Sequence, residues 1–191
     1  TLAYDQPCGW TPDGKSILLQ SRDHLKLWIR ILTLGEGAPV VRDLYSSAGI
    51  SISPALSPDG RTLAFIDDES GRAQGYVASL GADGRLGQPV QFTRDGARGV
   101  RWQREGRTLV YTNAASALMQ VRVATDLSYS PPQLLARLAD DVTQPEDFAL
   151  APDGSVVVTH RADDEGDVKQ FDLILGFDQE VERALARKPK R

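Results

Sequence analysis

The sequence lacks several features that whole classes of protein require. Its 191 residues include a single cysteine, Cys8, which excludes an intrachain disulfide and a cysteine-based metal site. No apolar run approaches the roughly 20 residues of a membrane-spanning helix. The 22 basic residues do not exceed the 26 acidic ones, so the positive excess of a dedicated nucleic-acid-binding protein is missing. What remains is the composition of a globular domain, with 41% hydrophobic residues.

Signatures of common enzyme classes are also missing. The chain has no Gly-x-Ser-x-Gly nucleophile elbow and no Gly-x-Gly-x-x-Gly dinucleotide loop. The two histidines, His24 and His160, have no His-x-x-His or Glu-x-x-His spacing, so we interpret them as strand-end residues rather than zinc ligands. The sequence therefore predicts a protein that is not an enzyme, with no catalytic, cofactor-binding or metal-binding residues.

The strongest positive signal is an internal repeat built around the tripeptide Pro-Asp-Gly. The tripeptide begins at positions 12, 58 and 152, and a degenerate Arg-Glu-Gly begins at 104, so the spacings are 46, 46 and 48 residues. Proline presets φ, aspartate suits the next position and glycine accepts a positive φ, so each copy predicts a tight hairpin. Apolar residues alternate on both sides of each turn, as in a strand with one buried face. These residues are Cys8, Trp10, Ile17 and Leu19, then Pro54, Leu56, Leu63 and Phe65, then Val100, Trp102, Leu109 and Tyr111, then Phe148, Leu150, Val157 and Thr159.

Each repeat continues with further predicted strands. The third strands are predicted at 25–31, 75–80, 118–123 and 168–175, and proline-led fourth strands at 39–42, 89–92 and 132–135. Four antiparallel strands in each unit of about 46 residues are typical of β-propeller blades. The fold class is therefore predicted to be all-β, with propeller blades at about 7–45, 46–93, 94–138 and 139–177, which form a domain over 1–177. A short C-terminal helix at 178–186 and a basic tail are predicted within 178–191.

Two of these repeats resemble a known family. The segments Trp-Thr-Pro-Asp-Gly-Lys-Ser-Ile-Leu at 10–18 and Leu-Ser-Pro-Asp-Gly-Arg-Thr-Leu-Ala-Phe at 56–65 resemble the repeats of TolB-like propellers. Such WD-repeat-like blades also occur in prolyl-oligopeptidase-type peptidases and tricorn-like proteins. The resemblance covers about 7–175. It implies a β-propeller, and the habit of the family favours a periplasmic or other extracytoplasmic location.

The end of the sequence has a narrower resemblance. Residues 170–181, Gln-Phe-Asp-Leu-Ile-Leu-Gly-Phe-Asp-Gln-Glu-Val, resemble the terminal strand and helix of propellers fused behind bacterial serine/threonine kinases or transcriptional regulators. Gly176-Phe177 stands where such ends usually have Asn-Trp. This resemblance implies that the chain is the C-terminal part of a longer signalling protein.

The number of blades leaves the closure of the propeller open. Four blades are the bottom of the usual range of about 4–8. The alternatives are a small closed ring, in which residues 1–4 add the outer strand of the last blade, an open fragment of a larger ring, and two chains that pair into one ring. We favour an incomplete ring that a partner completes, since the end blades would otherwise expose apolar faces.

Acidic clusters occupy the predicted loop between the second and third strands in two repeats. These clusters are Asp67-Asp68-Glu69 and Asp163-Asp164-Glu165 with Asp167. Carboxylates can bind Ca²⁺, but the Asp-x-Asp-x-Asp-Gly spacing of a calcium loop is lacking. We therefore interpret the clusters as solvated hairpin tips and leave calcium as the alternative.

The three tryptophans are assigned by their phase in the repeat. Trp10 and Trp102 occupy matching positions and are predicted to pack between blades. Trp28 is out of step with Leu27 and Ile29, so it faces the opposite side of its strand. Trp28 is the predicted exposed contact residue.

Together these patterns predict a non-catalytic module that binds a protein partner or a small ligand at the rim or funnel of a propeller. A homo-oligomer that completes the ring is one possible partner arrangement, and neither nucleic acid nor a membrane span is expected. The alternative is a substrate-gating propeller associated with a prolyl-oligopeptidase-type serine peptidase whose catalytic domain lies elsewhere.

Overall fold

The computed structural model describes residues 4–24, 26–138, 147–151, 153 and 155–158. All of them lie in the first of two compact units, Thr1–Arg161, and the second unit, Ala162–Arg191, lies outside the described residues. The described part contains only β-strands as regular elements, which confirms the predicted all-β class. The strands are β1 Tyr4–Trp10, β2 Ser16–Asp23, β3 Lys26–Thr33, β4 Val40–Tyr45, β5 Ser51–Leu56, β6 Thr62–Asp67, β7 Gln74–Ser79, β8 Val90–Gln91, β9 Val100–Trp102, β10 Thr108–Thr112, β11 Ala117–Arg122, β12 Gln133–Arg137, β13 Phe148–Leu150 and β14 Val156–Val158.

These strands form three four-stranded antiparallel sheets and one two-stranded hairpin. The sheets are β1-β2-β3-β4, β5-β6-β7-β8 and β9-β10-β11-β12, each in chain order, and β13 pairs with β14. The three complete sheets confirm the predicted four-stranded antiparallel blades. Tyr4 pairs with Arg22 within the first sheet, so the described end of the segment 1–4 does not complete the last blade. The strand predicted at 168–175 and the helix predicted at 178–186 lie outside the described residues.

The backbone of the repeated turn forms the same hydrogen bonds in the three complete sheets. The Thr11 backbone N–H donates to the carbonyl of Ser16 at 2.9 Å, and the Gly14 N–H donates to the carbonyl of Thr11 at 2.9 Å. Gly14 has a φ of +68°, in the left-handed region that glycine enters at little cost. The same pair of hydrogen bonds recurs with Ser57, Thr62 and Gly60 and with Gln103, Thr108 and Gly106. The sequence repeat is thus a repeat of hairpin geometry.

The fourth hairpin closes one residue earlier than the others. The Ala151 N–H donates to the carbonyl of Ser155, four residues along, whereas the equivalent bond in the other turns spans five residues. A one-residue change exchanges the two faces of a strand. Val157, which alternation assigned to the buried face, is 59% exposed, and Val156 and Val158 pack against the third sheet instead.

The core lies between the sheets rather than within any one of them. The first cluster joins the first and second sheets and contains Leu18, Ile29, Leu63, Phe65 and Ala78. The second joins the second and third sheets and contains Ala64, Ile66, Val77, Phe92, Ala97, Val100, Leu109, Tyr111, Val121 and Val123. The third joins the third sheet to the β13–β14 hairpin through Val110, Leu118 and Phe148. Each sheet is therefore stabilised by its neighbours, as in other repeat architectures.

The face of the first sheet that points away from the second sheet has no neighbouring sheet among the described residues. Trp10, on this face, is 59% exposed, so the prediction that it packs between blades is wrong. Its counterpart Trp102 is half-buried and donates its Nε1–H to the carbonyl of Ala55 at 3.1 Å. The difference arises because the second sheet covers Trp102, whereas no described sheet precedes Trp10. In the described part of the chain the sheets do not close into a ring.

The aspartate of the repeated turn carries a small local network. Asp59 Oδ1 accepts the Ser57 hydroxyl at 2.6 Å and the Arg61 backbone N–H at 3.0 Å. These bonds favour the carboxylate and hold the pKa of Asp59 below its ordinary value, the Ser57 bond most strongly. Asp13 and Asp153 make the same two types of bond with their own turns. The pKa of each is lowered for the same reason.

We expect Asp59→Ala to lower the free energy of unfolding by about 0.5–1 kcal/mol at neutral pH, because the turn loses both bonds to the carboxylate. The folded pKa lies below the unfolded one, so this stabilisation is present above about pH 3.9 and is lost as the pH falls through the folded value. Urea denaturation of wild type and variant across this range measures the effect. Glu105→Ala, at the matching turn position without such bonds, is the control, and a wild-type advantage unchanged in strong acid would contradict the assignment.

Candidate functional site

A funnel of about 690 Å³ opens where the first strands of the sheets converge. Its wall is formed by β1, β5, β9 and β13, so the same positions of the repeat recur around the opening. The wall mixes apolar and polar groups, among them Gln6, Cys8, Ile52, Arg101, Trp102 and Leu150. A concave, largely apolar cavity with a few convergent polar groups is the usual form of a ligand site.

Arg101 is the most strongly held polar side chain in this wall. Its Nη1 donates to the Ser53 hydroxyl at 3.0 Å and to the carbonyl of Val100 at 2.8 Å. Its guanidinium carbon lies 5.6 Å from the centroid of the Phe148 ring, within cation–π range. Burial lowers the pKa of Arg101, and the nearby charge of Asp147 acts in the opposite direction. The guanidinium is therefore fixed in a partly dehydrated place.

Cys8 lies beside Arg101 at a β-bulge. The pairing of β1 with β2 shifts register between Pro7 and Gly9, and Cys8 is the extra residue. The thiol is exposed to the funnel and donates to the carbonyl of Gln6 at 3.5 Å. The walls around it reduce its hydration and raise its pKa, so the thiol form prevails at neutral pH.

The interpretation of the first acidic cluster as a solvated hairpin tip is wrong for Asp67. This residue is 1% exposed, and its carboxylate accepts hydrogen bonds from the Ser51 hydroxyl at 2.6 Å, the Ser47 hydroxyl at 2.7 Å and the Glu69 N–H at 2.9 Å. Asp68 accepts the Ile50 N–H at 2.6 Å. The cluster thus holds the connection between the first and second sheets against the β6–β7 loop.

Metal binding finds no geometric support in the part of the chain that the structure describes. No group of three His, Cys, Asp or Glu side chains there is placed to hold a metal ion. His24 is exposed, and its Nε2 lies 3.9 Å from Asp23. His160 and the cluster Asp163-Asp164-Glu165 with Asp167 lie outside the described residues.

The sequence was also compared with known families. The profile of the TolB beta propeller domain matches residues 5–186, which is most of the chain. The chain belongs to the TolB β-propeller family. This TolB-family chain has no match at a significant level among curated protein sequences.

Solved structures similar to this TolB-family chain have diverse functions. TolB from Acinetobacter baumannii is 22% identical with a TM-score of 0.53 over 84% of this chain and 38% of its own. A puromycin-hydrolyzing peptidase from Mycobacterium tuberculosis is 22% identical with a TM-score of 0.59 over 83% of this chain and 28% of its own. Kuenenia stuttgartiensis hydrazine synthase is 20% identical with a TM-score of 0.57 over 78% of this chain and 47% of its own. The TolB-family chain thus spans less than half the length of these proteins, and the likeness shows the fold alone.

Trp28, the predicted contact residue, lies away from the funnel of the TolB-family chain. It is half-buried on the face of the first sheet that points away from the second sheet, opposite to the face of Ile29. Its Nε1–H donates to Asp43 Oδ1 at 3.0 Å. The Arg30 guanidinium lies 5.9 Å from its ring centroid and 3.0 Å from the Asp43 carboxylate. These contacts fix the indole, and its role in binding stays a prediction.

One sequence pattern of the TolB-family chain has a structural explanation. Residues 9–16, Gly-Trp-Thr-Pro-Asp-Gly-Lys-Ser, fit the Gly-x-x-x-x-Gly-Lys-Ser spacing of phosphate-binding loops. That chemistry needs a helix after the loop, whose N-terminus meets the phosphate. Here β2 follows at Ser16, so the spacing arises from the propeller turn.

The described residues also contain no helix long and apolar enough to span a membrane.

Arg101 is the site residue that sequence reasoning missed. A usable signal was present, because the matching positions in the other repeats are Gly9, Ala55 and Ala149. The alternation of apolar residues predicts the buried positions of each repeat and does not single out the small residues between them. In this chain these intervening positions line the funnel.

Proposed function

We propose that this chain is a non-catalytic binding module that takes a segment of a protein partner or a small ligand into its funnel, as part of a larger bacterial signalling or envelope protein. The observation that carries the proposal is the funnel itself, about 690 Å³ in volume and lined by the first strands of three sheets and the last hairpin. A cavity of this size accommodates a drug-sized molecule or a few residues of an extended peptide. The resemblance of 170–181 to the ends of kinase-fused propellers supports the larger context.

The rigidity of the wall supports binding at this place. Its strands belong to sheets whose inter-sheet faces are packed, and side chains such as Trp102 and Arg101 are held by hydrogen bonds to the second sheet. A preformed wall loses little conformational freedom when a ligand enters, which favours affinity.

The proposal is tested by titrating pools of N-acetylated, C-terminally amidated hexapeptides into ¹⁵N-labelled protein and following the backbone amide signals. We expect at least one pool to shift signals of β1, β5 and β9 saturably. The blocking variant is Gly9→Phe, because Gly9 lines the funnel and nothing lies within 4 Å of a Cβ at this position. Gly37→Phe, at an equally open position outside the funnel wall, is the matched control.

The two variants distinguish binding in the funnel from binding elsewhere on the protein. Shifts that persist in Gly37→Phe and vanish in Gly9→Phe support binding in the funnel. Shifts that persist in Gly9→Phe would contradict the proposal, as would the absence of any saturable funnel shift with both these pools and ligands that carry a free carboxylate.

The alternative function is a gate for the substrates of a prolyl-oligopeptidase-type peptidase. It is favoured by the similarity to the puromycin-hydrolyzing peptidase, with a TM-score of 0.59. Assays with chromogenic esters and peptide anilides test for catalysis by the chain itself. Turnover abolished by a substitution in the funnel would reverse our assignment as non-catalytic.

A further inference from the structure

One of the four repeats has a different kind of residue at a position that lines the funnel. The residue before the last position of each inner strand is Gly9, Ala55, Arg101 or Ala149, and all four line the cavity. The other three repeats form the same strand with a residue no larger than alanine, so propeller packing does not require a long side chain here. A local departure of this kind is expected where function, rather than folding, selects the residue.

The neighbouring strand β5 holds Arg101 through Ser53. Ser53 has a φ of +54°, an uncommon conformation for a residue other than glycine. It lies at a shift in the register of β5, and its hydroxyl contacts both Arg101 Nη1 at 3.0 Å and the Val100 N–H at 3.3 Å. Unusual backbone conformations cost free energy and persist only where the surrounding structure holds them. They cluster at binding and active sites.

The described residues leave part of the guanidinium without an acceptor. Nη1 is engaged, but no described group accepts from Nε or Nη2, and no described carboxylate forms an ion pair with Arg101. Burial disfavours the charged guanidinium, and the nearby Asp147 carboxylate offsets this only in part, so the pKa of Arg101 stays lowered. An anion that enters the funnel would therefore gain a charge-assisted hydrogen bond with a donor that is already oriented.

The surroundings restrict the kind of anion. A planar carboxylate matches the fork of a single guanidinium. A phosphate dianion would bring a second negative charge, for which the wall offers less compensation because Asp147 also lines the funnel. Ile52, Trp102 and Leu150 supply apolar surface beside the charge.

We propose that the funnel recognises an apolar molecule or peptide end through a single carboxylate, which pairs with Arg101. This inference rests on the proposed binding function and names the chemistry of the ligand. The free carboxylate of a small molecule and that of a peptide C-terminus offer the same group to Arg101.

The test compares ligands that differ only in this group. N-acetylphenylalanine and its amide are titrated into ¹⁵N-labelled protein, alongside the tripeptide pair Ac-Ala-Ala-Phe and its amide. We expect each acid to bind at least tenfold more tightly than its amide and to shift the signals of β5 and β9. A tripeptide acid that binds more tightly than N-acetylphenylalanine identifies a peptide end as the ligand, and equal affinity identifies a small carboxylate.

Variants assign the effect to Arg101. Arg101→Gln is expected to reduce the preference for acid over amide to less than about twofold, and Arg101→Lys to retain part of it, because a point charge replaces the planar fork. Arg122→Gln, an exposed arginine on β11, is the matched control and keeps the full preference. The acid–amide comparison on the wild-type protein stays decisive even where a variant fails to fold.

Equal binding of acid and amide by the wild type would overturn the inference. So would an unchanged preference in folded Arg101→Gln, and so would a failure of both acids to shift funnel signals. The amidated hexapeptide pools report on the funnel independently. Pools that bind while acids show no advantage would leave the proposed function standing without the carboxylate.

Discussion

Replacing Phe65 by alanine is expected to lower the free energy of unfolding by about 3–5 kcal/mol. Phe65 lies in the cluster between the first and second sheets and is 0% exposed. Its ring centroid lies 4.5 Å from that of Tyr45 in the first sheet and 5.8 Å from that of Tyr76 in the second. Truncation of Phe65 removes both ring contacts and leaves a cavity that the two rigid sheets cannot close. The shift of the urea denaturation midpoint, with the m-value, measures the loss.

The control for Phe65→Ala is another aromatic residue outside the core. Tyr4 is 66% exposed, and we expect Tyr4→Ala to change the free energy of unfolding by no more than about 0.5 kcal/mol. A loss below about 1 kcal/mol for Phe65→Ala would contradict the cavity mechanism. It would indicate that the first and second sheets are stable without each other.

The burial of Phe65 can be predicted from the sequence for a simple physical reason. Phe65 and Leu63 alternate with the period of a strand, and the turn that precedes them fixes the start of that strand. Both signals are local, and their recurrence at 46-residue intervals shows that the same solution is used again. The burial of the matching residues Leu109 and Tyr111 in the third sheet follows from the same alternation and the same 46-residue spacing.

The errors occur where burial depends on a neighbouring sheet or on the length of a turn, neither of which the alternation specifies. Trp10 has the same phase as Trp102, but only Trp102 has a preceding sheet to cover it in the described residues. Val157 has the same phase as Leu109, but the shorter turn before it exchanges the two faces of the strand. Alternation identifies which residues share a face, whereas the length of the turn and the order of the sheets decide whether that face is buried.

The candidate site was predicted only in outline. A funnel follows from the propeller fold, but its polar group comes from a single departure, Arg101, at a position that is small in the other repeats. The phase of Trp28 predicts an exposed contact residue, and in the structure its Nε1–H donates to Asp43 Oδ1. A repeat is informative about function where one copy differs, since the shared residues serve the fold.

Asp67 has the second large expected effect, because a buried carboxylate must keep its hydrogen-bond partners. It accepts from Ser51, which is itself buried, and from Ser47 and the Glu69 N–H. Asp67→Ala removes the acceptor and leaves these donors unsatisfied. We expect a loss of about 2–3 kcal/mol in the free energy of unfolding, measured by urea denaturation. Glu36→Ala, at an exposed carboxylate, is the control and should be nearly neutral.

Asp67→Asn separates hydrogen bonding from charge at this position. The amide keeps one oxygen to accept the Glu69 N–H, and its NH₂ can donate to the hydroxyls of Ser47 and Ser51, which rotate to accept. We therefore expect Asn to restore more than half of the stability lost with alanine. Calcium at millimolar concentration should leave the melting temperature of the wild type unchanged, because the Asp67 oxygens are already engaged by these donors. Equal losses from Asn and Ala, or a calcium-dependent rise in melting temperature, would contradict this role for Asp67.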